Sequence, residues 1–154
     1  MRLLLDANVL LLWIVGSLNL PLVGTHRRLS SFDKDDFSLV EGLAARVSQH
    51  ISTPHILTEV SNFLGSGPQQ MVKDGTAALA AYIAKLDEIL ISSKVIAASP
   101  EFHALGLTDA AIHHLADEGI RVVSIDFHLC NRLAAKGVDV INPRNLRTPG
   151  YAPS

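Results

Sequence analysis

The chain opens on the longest apolar run it contains. Residues 3–16 read LLLDANVLLLWIVG, with one acid set among leucines. Residues 2–5 form a short continuous apolar run, the pattern of a strand buried on both faces of a parallel sheet. Asp6-Ala7-Asn8 then supplies turn and cap chemistry, and residues 9–15 predict a short helix. Gly16 to Ser31 reads as a loop with Pro21 and Gly24. A second helix opens near residues 31–36 and runs to about Gln49. Ser38 and Glu41 share the capping-box spacing there. His50-Ile51-Ser52 predicts a strand. Thr53 as N-cap and Pro54 at the first position start a helix that stops at Gly65-Ser66-Gly67-Pro68.

The second half alternates in the same way. Residues 69–88 are Ala-rich and amphipathic and predict a long helix, 89–92 a strand, and the residues after them an Ala-rich helical turn. Residues 100–106 read as a connection. Thr108-Asp109 caps a helix to about Asp117, ended by Gly119. Residues 121–125, RVVSI, predict a strand, with Asp126 behind it and a helix to Ala135. Gly137 and a last strand near 138–141 follow. Alternating strands and helices define an α/β class. The expectation is a central, mainly parallel sheet of about five short strands flanked by helices in three layers.

Composition narrows this further. A chain of 154 residues suits one domain, assigned to 1–142, with a polar, Pro-containing tail at 143–154. At 48% hydrophobic and 5% aromatic, its core must be aliphatic. A lone cysteine, Cys130, rules out an internal disulfide framework and a Cys-based zinc site. The acid inside the first apolar run is wrong for a signal peptide, and the run is too short for a membrane span. No membrane partner and a cytoplasmic address are the resulting expectations. The net charge of −2 leaves no global basic field, so any nucleic-acid contact must be local. The candidates are His26-Arg27-Arg28, Lys34, Arg132, Arg144 and Arg147, each of which also fits ordinary solvated surface.

The chemistry lies in the acids. In open parallel sheets, sites form outside the carboxyl ends of strands. Asp6 and Asp126 each follow a strand directly, and Asp109 stands at a helix N-terminus. Glu59 lies within a mostly apolar helix. Converging carboxylates repel unless they share a proton or hold a cation. A pair of Mg²⁺ or Mn²⁺ ions removes that repulsion and suits in-line phosphodiester hydrolysis. Each acid also has a plainer reading: a cap for Asp6 and Asp126, a favourable helix-end charge for Asp109, an exposed helical acid for Glu59. Asp33, Asp35 and Asp36 read as the negative start of a helix, His113 and His114 as surface, and Cys130 as packed.

Four segments together resemble the PIN-domain ribonucleases, most closely the small stand-alone VapC-type toxins. They are LLLDANVLL at 3–11, TPHILTEVSNFLG at 53–65, GLTDAAIHHLA at 106–116 and VVSIDFHL at 122–129. The resemblance covers nearly the whole chain, and it rests on four modest motifs in order rather than on one strong one. It implies that Asp6, Glu59, Asp109 and Asp126 form a catalytic and metal-binding set for Mg²⁺ or Mn²⁺. Asn8 takes the small polar position after the first acid, and Ser124 the hydroxyl position two before the last. It further implies endonucleolytic RNA cleavage with a 5′-phosphate product, a homodimer, and an antitoxin protein as partner. The helical segments 54–64 and 77–90 are dimerisation candidates.

The stretch between Asp6 and Glu59 is longer than in compact members. The excess falls in 17–37, where Arg27 and Arg28 fit a phosphate backbone, a solvated loop or a protein contact equally well. Two other acidic α/β classes fit less well. A receiver domain wants adjacent early acids, and a haloacid-dehalogenase phosphatase wants D-x-D where this chain has Asp6-Ala7-Asn8. A PIN fold without activity, serving as a nucleic-acid or protein binding module, is the remaining alternative.

Overall fold

A computed structural model of the chain describes residues 1–146. Arg147 and the rest of the tail lie outside the described residues. Strand β1 (Arg2–Leu5) leads through Asp6 into helix α1 (Ala7–Leu18). Two 3-10 turns (Leu20–Thr25 and Arg27–Leu29) precede α2 (Lys34–Ala45) and β2 (His50–Ser52). Then come α3 (Pro54–Gly65), α4 (Gln69–Ile83) and β3 (Asp87–Glu88). Helices α5 (Ser93–Ala97), α6 (Pro100–Leu105) and α7 (Leu107–Leu115) lead to β4 (Ile120–Val123). Helix α8 (Phe127–Ala135), β5 (Asp139–Ile141) and a 3-10 turn (Pro143–Leu146) complete the described chain. The architecture is the expected three-layer α/β/α, and no helix among the described residues is long and apolar enough to cross a membrane.

The sheet is parallel throughout, in the order β3-β2-β1-β4-β5. β1 is its centre, so both faces of Leu3, Leu4 and Leu5 are covered and all three are buried. That is why the strand reads as an unbroken apolar run. From β1 the chain moves to β2 and β3 on one side, then crosses back to β4 and β5 on the other. Right-handed crossovers in opposite directions put α1–α4 on one face and α5–α8 on the other. The helix contacts follow this division, with α1 against α2, α3 and α4, and α7 against α5, α6 and α8. The reversal of order between β1 and β4 opens a crevice at their carboxyl ends.

Helix α1 is apolar nearly all round because it is buried nearly all round. Val9, Leu10, Leu11, Leu12 and Val15 are all enclosed. It runs past the expected end at residue 15. Gly16 is not a terminator but a close-packing point: a Cβ there would lie 2.2 Å from the ring of Phe37 on α2. The expected loop 16–31 is instead the end of α1 and the two 3-10 turns, anchored by buried Val23, His26 and Leu29. The capping box of α2 belongs to Asp33 and Asp36, not to Ser38 and Glu41. Asp33 Oδ1 accepts from the Asp36 N–H at 3.0 Å, and Asp36 Oδ2 accepts from the Asp33 N–H at 3.0 Å. Ser38 Oγ donates back to the Lys34 carbonyl.

Three further boundaries differ. Helix α4 ends at Ile83, and the strand falls on the acids Asp87-Glu88 rather than on 89–92. β3 is an edge strand paired only to β2, where exposed charges discourage pairing with other chains. The stretch 100–106 holds helix α6, started by Pro100 at its first position with Glu101 in the first turn. Asp109 does not cap α7. Gly106 occupies the N-cap position with φ 79° and ψ 174°, and Asp109 sits within the first turn.

Candidate active site

Each candidate acid owes its place to the local fold. Asp6 leaves β1 and caps α1, its Oδ1 accepting the Ala7 N–H at 2.7 Å. Its Oδ2 accepts from Ser124 Oγ at 2.7 Å. Ser124 follows β4, directly beside β1, where Leu5 pairs with Val123. The Ser124 Oγ in turn accepts the Asp126 N–H at 3.0 Å, and Asp126 Oδ1 caps α8 through the Leu129 N–H at 2.9 Å. So the cap readings of Asp6 and Asp126 are geometrically correct, and each side chain still faces the crevice.

Glu59 reaches the crevice from α3, which starts at the carboxyl end of β2. Thr53 Oγ1 caps that helix through the Ile56 N–H. Asp109 comes from the first turn of α7. Gly106 makes this possible, since its φ and ψ lie in a region essentially closed to residues with a Cβ. All four acids line one cavity of about 220 Å³, together with Asn8, Arg28, Phe63 and Thr108.

The electrostatics record the convergence. Burial, followed by the charges of Asp6, Asp126 and Glu59, pushes the Asp109 carboxyl up to about 8. Burial also raises Asp6 above the ordinary carboxylate range, opposed by the hydrogen bonds from Ser124 and Ala7 and reinforced by Glu59 and Asp126. Burial pushes the Cys130 thiol up to about 11, and its Sγ contacts the Ser124 carbonyl oxygen. That thiol is packing beneath the site, not a nucleophile.

The donor set consists of hard carboxylate oxygens, the type that Mg²⁺ and Mn²⁺ select. Raised carboxyl pKa values are what a cation at this point would reverse. In position the set is looser: among the described residues, no group of three or more His, Cys, Asp or Glu side chains stands ready to hold a metal ion. The acids line one cavity without closing on one point.

The basic candidates divide. Arg28 lines the acidic cavity, with its guanidinium carbon 4.4 Å from the centre of the Phe63 ring. Arg27 lines an adjoining cavity. Arg132 pairs with Glu101, and Arg144 donates to Ser31 Oγ and lies over Phe32, so both serve the scaffold. His113, His114 and His128 do not line the acidic cavity. Phe63, Gly106 and Thr108 also line the cavity, beyond the site residues the sequence indicates. Gly106 carried the best signal, as the glycine opening GLTDAAIHHLA. No protein-family model matches the chain, and no curated protein matches it with significance.

Proposed function

We propose that the chain is a metal-dependent endoribonuclease of the PIN type, with Asp6, Glu59, Asp109 and Asp126 as its reactive centre. The observation that carries this reading is their convergence. Four acids from four distant segments line one cavity at the switch point of a parallel sheet, and Asp109 is driven up to about 8. Burial and mutual repulsion of this kind are costly to keep, and divalent cations such as Mg²⁺ or Mn²⁺ relieve them. When bound, such ions supply a hydroxide nucleophile and stabilise the leaving oxygen.

The residues of the chain have separable tasks. Asp6 presents its carboxylate oxygens from the end of β1, and Asp109 from the first turn of α7. Ser124 fixes the orientation of Asp6 and the backbone of Asp126 together. Asn8 offers an amide beside them, and Arg28 supplies the positive charge that draws a phosphate toward an acidic cavity. Hydrolysis of the P–O3′ bond leaves a 5′-phosphate and a 3′-hydroxyl.

The same reading takes the chain as the toxin of a toxin–antitoxin pair, cytoplasmic and homodimeric, with a small antitoxin as partner. The α3–α4 surface is its dimerisation candidate. Leu57, Leu79 and Ile83 line a groove there, and Leu90 nearby is exposed. Incubation of the purified protein with total cellular RNA, in Mg²⁺, in Mn²⁺ and in EDTA, tests the activity. Cleavage confined to the metal-containing reactions is the expected result. A second reading is a PIN-like binding module without catalysis. The presence of all four acids in one cavity argues against it. It requires that Asp6→Asn leave function intact.

A further inference from the structure

Beside the acidic cavity lies a second and larger one, of about 640 Å³. That falls within the ~300–1,000 Å³ typical of small-ligand sites. Its walls are the 3-10 segment with His26, Arg27 and Arg28, and the end of α3 with Phe63, Ser66 and Gly67. Arg28 and Phe63 line both cavities, so the two adjoin at this pair. Arg27 and Arg28 are exposed, and among the described residues neither is paired with a carboxylate.

We propose that this cavity holds the nucleotide next to the scissile phosphate in a single-stranded RNA, its phosphate on Arg27 and Arg28 and its base stacked on the Arg28–Phe63 pair. The inference rests on the nuclease reading and adds to it where the substrate lies. The guanidinium of Arg28 sits over the Phe63 ring, 4.4 Å from its centre. A guanidinium held over a ring leaves its edge for a phosphate and its outer face for a base, and single-stranded RNA is bound by such surfaces. An acidic peptide uses the N–H edge alone.

The pair is also built rather than incidental. His26 is buried, and its Nδ1 accepts the Arg28 N–H at 3.1 Å. Nδ1 therefore carries no proton, and Nε2–H donates to the Phe63 carbonyl at 2.9 Å. One neutral imidazole thus ties the backbones of both stacking residues. Gly67 lies beside it at ordinary contact distance, a Cβ there standing 3.5 Å from His26 Cδ2, and the closer approach, 3.0 Å, would be to Met71 Sδ. His26 is a positioning residue in this scheme and touches no substrate.

The test is the fluorescence anisotropy of a fluorescein-labelled single-stranded RNA, titrated with the full chain in EDTA so that no cleavage intervenes. Arg27→Gln, Arg28→Gln, the double variant and Arg28→Lys are compared with the unaltered chain, with circular dichroism confirming the fold of each. The double variant is expected to bind about tenfold more weakly. Between about 50 and 200 mM salt, its slope of log K against log salt should fall by about 0.7, the loss of one single-strand phosphate contact. Arg28→Lys should keep the slope and lose affinity, because the charge stays and the flat stacking face goes.

Unchanged affinity and slope in the double variant, with the unaltered chain still binding RNA, would overturn the subsite and leave the nuclease reading standing. Failure of the unaltered chain to bind RNA in EDTA and in the non-catalytic cation Ca²⁺ alike would overturn both. A duplex of the same sequence bound as tightly, with the same losses, would remove the stacked base. A larger loss with a polyglutamate peptide than with RNA would assign the cavity to an acidic protein segment instead.

Discussion

One hydroxyl joins the two strand-end acids: Ser124 Oγ donates to Asp6 Oδ2 at 2.7 Å and accepts the Asp126 N–H at 3.0 Å. Ser124 is fully buried, so neither partner has water as a replacement. Ser124→Ala removes a donor from a buried carboxylate and an acceptor from a backbone N–H. A loss of about 1–3 kcal/mol in stability is expected by denaturant titration. It should come with a loss of RNA cleavage larger than that of a surface serine such as Ser38→Ala. A stability unchanged by Ser124→Ala would mean the hydrogen bonds are not formed in solution.

The raised Asp109 carboxyl makes stability depend on pH in a definite direction. Its folded pKa, about 8, lies above its ordinary value of 3.8. The folded state therefore binds the proton more tightly than the unfolded one. Asp109 contributes its stability below about pH 4, and the contribution is lost as pH rises through about 8. The melting temperature should fall across that window. Asp109→Asn should flatten the fall and be the more stable form at pH 8. Differential scanning calorimetry on the two proteins, compared pH by pH, isolates this group from the other titrations.

Divalent cations should act on the same carboxyl groups. At pH 8 without metal, the chain holds several mutually repelling carboxylates around one cavity. Adding Mn²⁺ or Mg²⁺ should raise the melting temperature of the unaltered chain, by linkage to the folded state. The rise should shrink in Asp6→Asn and in Asp109→Asn. An equal rise in all three would place the cation elsewhere.

Gly106 holds a conformation, φ 79° and ψ 174°, that only glycine adopts readily, and nothing crowds the position where a Cβ would stand. Gly106→Ala should cost about 1–3 kcal/mol through backbone strain alone. Because Gly106 begins α7, the first turn carrying Asp109 shifts with it, and cleavage should fall along with stability. Asp33→Ala is the contrasting case. It removes the capping box of α2, at a cost of about 1 kcal/mol, away from the acidic cavity. The rate of RNA cleavage should stay unchanged below the melting transition.

Much of this arrangement was legible in the chain because the signals were local. Leu3-Leu4-Leu5 followed by Asp6 marks a buried strand end, and Thr53-Pro54 marks a helix start. The position of Asp126 behind an apolar strand places it at the carboxyl end of the sheet. What the sequence concealed depends on contacts between distant segments. Gly16 looks like a helix stop, and only the ring of Phe37 shows it to be a packing contact. The strand at Asp87-Glu88 carries no hydrophobic pattern, because it is a two-residue edge that needs none. Thr108-Asp109 resembles a cap in sequence, but the glycine two positions before Thr108 starts the helix, leaving Asp109 free to face the other acids. The stacking of Arg28 on Phe63 joins the segment after α1 to the end of α3, and no pattern in either segment announces it.

The four acids are proposed to work as one nuclease centre, a role decided by cleavage of a defined, end-labelled single-stranded RNA in Mn²⁺. The unaltered chain is run beside Asp6→Asn and Asp109→Asn, with each variant shown to be folded by its melting curve. Internal cuts bearing 5′-phosphates are expected from the unaltered chain, none in EDTA, and none from either variant. Cleavage by the variants at the rate of the unaltered chain, or cleavage that persists in EDTA, would contradict that role.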